Sequence, residues 1–177
     1  MERDWMMLLQ QQNQLKRVME ANQSAERFGL TLTEQEAQLI LEEQKKVLRE
    51  QKRVEFGAGI AEKIIEEFCD SSYIDQDSYV ETILRLQEIF YLYKNEMQDE
   101  LTDEELLHLM REQFERLCFG DLEYLEGTCL SNFAQAIRAG YDGHRNLCRQ
   151  GEYARFDEVK RWDHELYLQA LRELCYG

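Results

Sequence analysis

The chain has 177 residues, no proline and a formal net charge of −15, and 44% of its residues are hydrophobic. This length and apolar content suffice for one domain with a packed core, which excludes a chain that is disordered throughout. The acidic balance disfavours nucleic acids and anionic membranes as partners, because basic surfaces recognise both. Proline breaks helices at a cost of about 3 kcal/mol and is common in turns and edge strands. Its absence therefore indicates an all-helical protein.

The first predicted helix, over about residues 4–27, is the weakest candidate for a place in the core. The polar run 10–14 interrupts its apolar positions, whereas a core helix carries a continuous apolar stripe. We therefore expect residues 1–29 to form a helical arm suited to docking on a partner subunit. Residues 30–177 are expected to form a helical bundle, with one domain overall.

The second predicted helix begins at Thr33, the first residue of a Thr-Glu-Gln-Glu sequence that matches a capping box. It extends to about Glu55, and Gln44 and Gln51 interrupt its apolar seam. Such a seam is typical of a coiled coil in which the glutamines fix the register, or of one amphipathic helix in a bundle.

Five further helices are predicted around residues 60–69, 78–99, 102–118, 122–139 and 156–174. The segment 78–99 is the most apolar, which favours a position at the centre of the bundle. Thr102 begins a second capping box, and 141–151 is the longest predicted loop. The sequence thus predicts an all-α, single-domain bundle of about seven helices joined by short glycine-containing loops.

The cysteines indicate a reducing compartment. They stand at positions 69, 118, 129, 148 and 175, without a Cys-x-x-Cys spacing, and most lie among apolar residues. We expect buried free thiols. The apolar run 5–9 is too short for a secretory signal, and the charged residues before it are mainly acidic. No later segment is long and apolar enough for a membrane-spanning helix. A cytoplasmic location is expected.

No catalytic, metal or cofactor motif is found. The segment 70–81 begins with Asp and ends with Glu like a calcium-binding EF-hand loop, but Ile74 occupies a ligand position. Glu105 and His108 have the spacing of di-iron bundles, which require a second such pair. The glycines in 57–59 follow a charged helix and lack the residues of a phosphate-binding loop.

The negative charge is concentrated in the middle of the chain. Residues 61–130 contain 5 basic and 19 acidic side chains, whereas 1–60 and 131–177 are nearly balanced. This region predicts an acidic interaction surface, represented by Glu62, Glu66, Asp99 and Glu100, that would steer in a cationic partner. The alternative is a solvated acidic face that aids solubility.

Polar residues beside the core form a second candidate site. Arg53 and Glu55 flank the glycine break, and Lys94, Asn95 and Glu96 interrupt the most apolar helix. Charges next to a core are costly unless they are paired. These residues are therefore expected either to clamp helix ends through an ion pair or to line a ligand pocket. Two tyrosines are placed at the rim of such a pocket, Tyr91 and Tyr124.

Three sequence strings carry a resemblance to a known family. They are RVEFGAGI (Arg53–Ile60), FYLYKNE (Phe90–Glu96) and LEYLEGT (Leu122–Thr128). With the spacing between them, they resemble a family of uncharacterised all-helical proteins from anaerobic gut-type bacteria over about residues 25–140. The resemblance implies a helical domain of unknown function, with no known activity, and it assigns no functional residue.

Two classes of function follow. The first is a non-enzymatic helical interaction module that associates with itself or docks a partner helix, with the acidic middle third as recognition surface. The alternative is a small-molecule-binding protein or enzyme whose pocket lies near Arg53, Glu55, Lys94 and Glu96. A third, minor hypothesis is an acidic mimic of nucleic acid.

Overall fold

The computed structural model describes residues 2–55 and 59–140, and these residues form helices and no strand. The helices are α1 (Glu2–Glu26), α2 (Glu34–Glu50), α3 (Ile60–Phe68), α4 (Tyr79–Glu96), α5 (Asp103–Arg116) and a sixth, α6. Helix α6 consists of an α-helical start (Leu122–Tyr124), a π-helical turn (Leu125–Cys129) and an α-helical end (Leu130–Arg138). The all-helical fold is confirmed. The seventh predicted helix and the predicted loop 141–151 lie outside the described residues.

Local sequence fixes the starts of α2 and α5. The Thr33 hydroxyl accepts a hydrogen bond from the Glu36 N–H at 3.1 Å, and the Glu36 carboxylate accepts one from the Thr33 N–H at 3.4 Å. Thr102 and Glu105 form the same reciprocal pair at 3.2 and 3.4 Å. Both predicted capping boxes are present, and each satisfies two backbone donors that the first helical turn leaves without a partner.

Glycine ends only some of the helices. Gly29, Gly120 and Gly140 adopt positive φ after α1, α5 and α6, which costs glycine little. The link between α2 and α3 instead uses Lys52 at φ 56°, and the loop after α4 uses Gln98 and Asp99 at 54° and 57°. The prediction of glycine-containing loops throughout is therefore not confirmed. The predicted extension of α2 to residue 55 is also wrong, since α2 ends at Glu50.

Helix α4 lies at the centre of the core, and α2, α3, α5 and α6 contact it. Its fully buried side chains include Leu86, Ile89, Phe90 and Tyr91. Burying one such apolar side chain contributes about 1.5–3 kcal/mol. The buried Gln87 on the same helix donates its amide nitrogen to the Ile40 carbonyl of α2 at 3.2 Å, whereas its side-chain oxygen is buried without a partner among the described residues.

Helix α1 has two dissimilar halves. Its second half packs on the bundle through Val18, Ala21, Asn22 and Ala25, and the Tyr79 hydroxyl donates to Asn22 at 2.5 Å. Every side chain from residue 2 to 13 is exposed. At about 1.5 Å per residue, this first half, which we call the arm, is about 18 Å long. None of the described helices has the length and apolar character needed to cross a membrane.

Candidate functional site

Arg53 is the central cation of a polar cluster at one end of the bundle. It lies in the link that follows α2, and its Nη2 donates to Asp99 Oδ1 at 2.7 Å. Its Nη1 donates to Asn95 Oδ1 at 2.7 Å and to Asp99 Oδ2 at 3.2 Å. The pKa of Asp99 is lowered, chiefly by the hydrogen bond from Arg53. One guanidinium therefore joins this link to α4 and to the loop after it.

Asn95 continues this connection to the end of α2. Its Nδ2 donates to the Gln51 carbonyl at 2.9 Å and to the Gln51 side-chain oxygen at 3.0 Å. Because Asn95 Oδ1 accepts from Arg53, all of its polar atoms have partners. The side chain holds the carboxyl ends of α2 and α4 together.

Lys94 connects the end of α4 to the start of α5. The residue is buried, with 7% of its surface exposed. Its ammonium donates to the Leu101 carbonyl at 2.8 Å and lies 3.0 Å from Asp103 Oδ1 and 3.6 Å from Asp99 Oδ1. Removing an ammonium group from water costs free energy, and the hydrogen bond and the two nearby carboxylates offset this cost for Lys94.

Glu55 is partly buried and contacts uncharged side chains of α2 and α4. The Tyr91 hydroxyl donates to its carboxylate, and Gln44 Nε2 lies 3.4 Å from Glu55 Oε2. Burial raises the pKa of Glu55, although the hydrogen bond from Tyr91 acts in the opposite direction. Burial, followed by the hydrogen bond to Glu55, also raises the pKa of Tyr91. Gln44 Oε1 is buried and has no hydrogen-bond partner among the described residues.

The structure brings together five of the seven residues predicted for a pocket. We use the name helix-end cluster for these five and their two acidic partners: Arg53, Glu55, Tyr91, Lys94, Asn95, Asp99 and Asp103. Glu96 does not belong to it, because its carboxylate pairs with Arg138 of α6 at 2.6 Å. Tyr124 is also elsewhere, on the first turn of α6, with 46% of its surface exposed.

The geometry of the helix-end cluster is that of a clamp. Its polar side chains mainly contact one another and the backbone ends of α2, α4 and α5. Sequence reasoning missed Gln44 and Asp103 as partners. Gln44 carried a signal, since a glutamine on an apolar seam needs a polar partner when it is buried. Asp103 is the first residue of α5, and only the tertiary fold places it beside Lys94.

The predicted acidic surface is divided between two elements. Glu62 and Glu66 lie one turn apart on α3 and close to α1, where burial and the charges of Glu66 and Glu20 raise the pKa of Glu62 and Arg17 lowers it. Asp99 and Glu100 lie in the loop after α4. Asp99 is part of the helix-end cluster. The five basic side chains of residues 61–130 are all in ion pairs: Lys63, Arg85, Lys94, Arg111 and Arg116.

The residues of the rejected metal motifs have other partners. Asp70 accepts from Arg111 at 2.7 Å, and His108 Nδ1 lies 3.7 Å from Glu67. Glu105 caps α5. Within residues 2–55 and 59–140, no three His, Cys, Asp or Glu side chains are grouped in a way that could hold a metal ion.

The arm lies within residues 1–29, which the sequence predicted as a helical arm suited to docking on a partner subunit. Five consecutive apolar side chains, Trp5, Met6, Met7, Leu8 and Leu9, are 65%, 61%, 57%, 56% and 39% exposed. Trp5, Leu8, Gln12, Leu15 and Met19 follow one another at spacings of three and four residues, so they form one seam along α1. Leu15 and Met19 at the far end of this seam are half-buried against the core.

Comparison with known proteins gave one match. A family model with the description "Family of unknown function (DUF6323)" matches residues 17–143. No curated protein and no solved structure matches the chain. The match runs from the packed half of α1 through α6 and includes the helix-end cluster, but it leaves out the exposed arm. The expected resemblance to a family of unknown function is confirmed, and a bacterial source remains an expectation.

Proposed function

Because the chain belongs to the family of unknown function DUF6323, its role has to be inferred from its own surfaces, and we propose a non-enzymatic helical interaction module. We propose that it associates with a second copy of itself through the arm. The observation that carries this proposal is the run of exposed apolar side chains at Trp5–Leu9. Single exposed apolar residues are ordinary, whereas a contiguous patch marks a contact surface.

The spacing of the seam supports a helix as the contacting element. Alternating steps of three and four residues put Trp5, Leu8, Leu15 and Met19 at the a and d positions of a heptad repeat, with Gln12 as a polar a position. Two helices with such seams pack side by side, and a polar residue in the seam selects the register at some cost in stability.

The charges beside the seam support an antiparallel second copy. Glu2 and Lys16 occupy e positions, which flank the seam. In an antiparallel pair, Trp5 of one copy can lie opposite Leu15 of the other. The e positions then face one another, so that Glu2 of one copy lies opposite Lys16 of the other and the two Leu9 side chains lie opposite each other. A two-fold axis repeats each of these contacts, so a single patch is self-complementary. Among residues 2–55 and 59–140, the ion pair that Lys16 makes is a long, exposed one with Glu20 at 3.9 Å.

Light scattering after size-exclusion chromatography tests the proposal on the full chain. We expect a dimer at micromolar concentration that Leu8→Glu converts to a monomer, because the added carboxylate lies in the seam. Gln10→Glu is the matched control, since it adds the same charge to the same helix on the opposite face and should leave the dimer intact.

A charge swap tests the partner and its orientation. Glu2→Lys and Lys16→Glu should each weaken the dimer, and the double variant should restore part of the affinity. A wild-type chain that is monomeric at every concentration would overturn self-association. Protection of the arm amides from hydrogen exchange in such a monomer would mean that the chain covers its own arm.

The acidic side chains of α3 are proposed as a second contact surface, for a cationic protein. Glu62 and Glu66 lie beside α1 and are not held in the helix-end cluster. Reversing both to lysine should weaken capture of basic partner proteins at low salt, with the effect lost at high salt. Reversing Asp99 and Glu100 tests the other half of the predicted surface. Asp99 is expected to show a loss of stability as well, because it partners Arg53.

A small-molecule site at the helix-end cluster is the second candidate function. The observation that favours it is the buried Gln44 Oε1 beside Glu55, an acceptor without a partner among the described residues. A ligand that donates to this oxygen and binds only the folded state would raise the temperature of unfolding as the ligand concentration increases. A thermal-shift screen of amines and amides, repeated on Gln44→Met, checks this candidate, since a specific ligand should lose its effect on the variant.

A further inference from the structure

Two buried thiols meet where α5 ends and α6 turns. Cys118 follows the end of α5, and Cys129 is the last residue of the π-helical turn. Their Sγ atoms are 3.3 Å apart, and the residues are 6% and 8% exposed. The two sulfur atoms need to approach by about 1.3 Å to reach the length of a disulfide bond.

The π-helical turn is a distorted segment that α4 holds in place. The Tyr93 hydroxyl donates to the Glu126 carbonyl, and Arg85 Nη2 donates to Glu126 Oε2 at 2.6 Å. A π turn is rare, occurs mostly as a single turn inside an α-helix, and is frequently found at functional sites. Here it ends on Cys129, so the distortion and the thiol pair coincide.

The two thiols differ in acidity. Either S–H can donate to the other sulfur across the 3.3 Å contact, and with Cys118 as the donor the hydrogen bond lowers the pKa of Cys129 and raises that of Cys118. Cys129 is therefore the thiol that forms the attacking thiolate. Cys69 is a contrasting case, because burial raises its pKa and its Sγ contacts the Glu66 carbonyl oxygen at 3.7 Å.

We propose that Cys118 and Cys129 form a reversible disulfide that locks the junction of α5 and α6. The oxidant is a low-molecular-weight disulfide such as oxidised glutathione. The Cys129 thiolate attacks one sulfur of this molecule, forms a mixed disulfide and releases one glutathione thiolate, which takes up a proton. Cys118 then loses its proton, attacks the Cys129 sulfur and displaces the second glutathione. Two protein thiols are oxidised and one small disulfide is reduced to two thiols.

The bond would fix α6 to the bundle by a covalent link in addition to its packing. It closes the segment between residues 118 and 129, and cross-linking reduces the freedom of the unfolded chain. The oxidised protein should therefore unfold at a temperature several degrees higher than the reduced protein. The proposed disulfide does not involve the arm, so its test is independent of the test for self-association.

Disulfide mapping of the full chain tests the proposal. The native protein is equilibrated in glutathione buffers of increasing oxidised fraction, alkylated, digested without reduction and examined by mass spectrometry. We expect a linked peptide pair containing Cys118 and Cys129, which reducing buffer removes. If Cys118 and Cys129 remain free in oxidised buffer, and are therefore both alkylated, the proposal is overturned. Disulfides that join them only to cysteines 69, 148 or 175 would also overturn it.

Thermal unfolding supplies the second measurement. The oxidised form should be more stable than the reduced form in the wild type and in Cys69→Ser, a control that removes a buried cysteine outside the pair. The difference should be absent in Cys118→Ser. If this variant does not fold, the wild-type peptide map still decides the question.

Discussion

Arg53 and Asp99 meet through two hydrogen bonds, Nη2 to Oδ1 at 2.7 Å and Nη1 to Oδ2 at 3.2 Å. The side chain of Arg53 is 23% exposed and that of Asp99 is 55% exposed, so water screens the pair only in part. Gln98 and Asp99 both have positive φ. The left-handed conformation costs a residue such as glutamine about 1–2 kcal/mol, and aspartate tolerates it better. The ion pair thus stabilises a loop conformation that the local sequence does not favour.

A double-mutant cycle should resolve the Arg53–Asp99 interaction. Arg53→Ala is combined with Asp99→Asn, because asparagine tolerates the left-handed backbone. We expect a coupling free energy of about 0.5–1 kcal/mol in urea unfolding, which decreases as salt is added. The same cycle on Lys16 and Glu20, an exposed pair at 3.9 Å, should give a coupling near zero. Equal coupling in the two cycles would contradict the clamp.

Lys94→Met should destabilise the protein by about 1–3 kcal/mol. The methionine keeps the packing of the side chain but leaves the Leu101 carbonyl and Asp103 without their donor, and an unsatisfied buried acceptor costs about that amount. Urea unfolding measures the change. Lys46→Met is the control, since this exposed lysine lies 3.9 Å from Glu43 and should change stability by less than about 0.5 kcal/mol.

The features of the fold that the sequence predicted are those that depend on composition or on residues close together in the chain. The two capping boxes at Thr33 and Thr102 combine residues three positions apart, and the absence of proline is a property of the whole chain. The apolar character of α4 predicted its central position for the same reason. The capping boxes and the apolar character of α4 each have a physical cause contained within one helix, and the absence of proline needs no tertiary contact to be recognised.

The partners within the candidate site could not be predicted in this way. Glu96 lies between Asn95 and Met97 in the sequence, yet helical geometry turns it away from the cluster and toward Arg138, 42 residues later. Lys94 finds Asp103 only because the loop after α4 reverses the chain. The π-helical turn that ends on Cys129 has no local signature in the sequence.

Glu55 should make the protein less stable as the pH rises. Burial raises its folded-state pKa above the ordinary value of 4.5, so the folded state binds the proton more tightly than the unfolded state. Its contribution is most favourable below the unfolded pKa and is lost as the pH rises through the folded pKa. Glu55→Gln removes this loss. The free energy of unfolding of the variant relative to wild type should therefore increase from pH 4.5 upward and then level off.

Asp99→Asn provides a control of opposite sign for this titration. The hydrogen bond from Arg53 lowers the folded-state pKa of Asp99 below 3.8, so its stabilising contribution is present above the unfolded pKa. That contribution is lost as the pH falls through the folded pKa. Relative to wild type, Asp99→Asn should recover stability on acidification below pH 4. Urea unfolding across pH 3–8 measures both variants, and parallel curves for the two would refute the assignments.

Gly59 allows Gln44 to lie against the start of α3. A Cβ at Gly59 would be 2.4 Å from Gln44 Nε2 and 2.6 Å from Oε1, although φ is −70° and imposes no strain of its own. Gln44 is 7% exposed, and its side-chain amide, which donates to Glu55, would have to move to make room for the new methyl group. Gly59→Ala should therefore destabilise the protein by about 1–3 kcal/mol through overpacking.

Two further variants separate overpacking from a general effect of replacing glycine. Gln44→Ala combined with Gly59→Ala should recover part of the loss, because the shorter side chain frees the space that the new methyl group needs. Gly127→Ala should instead stabilise the protein by about 0.4–1 kcal/mol, since a Cβ there meets no atom of the described residues beyond its own helix within 4 Å. Urea unfolding of the three variants gives the comparison. A Gly59→Ala chain as stable as Gly127→Ala would show that Gln44 does not pack against Gly59.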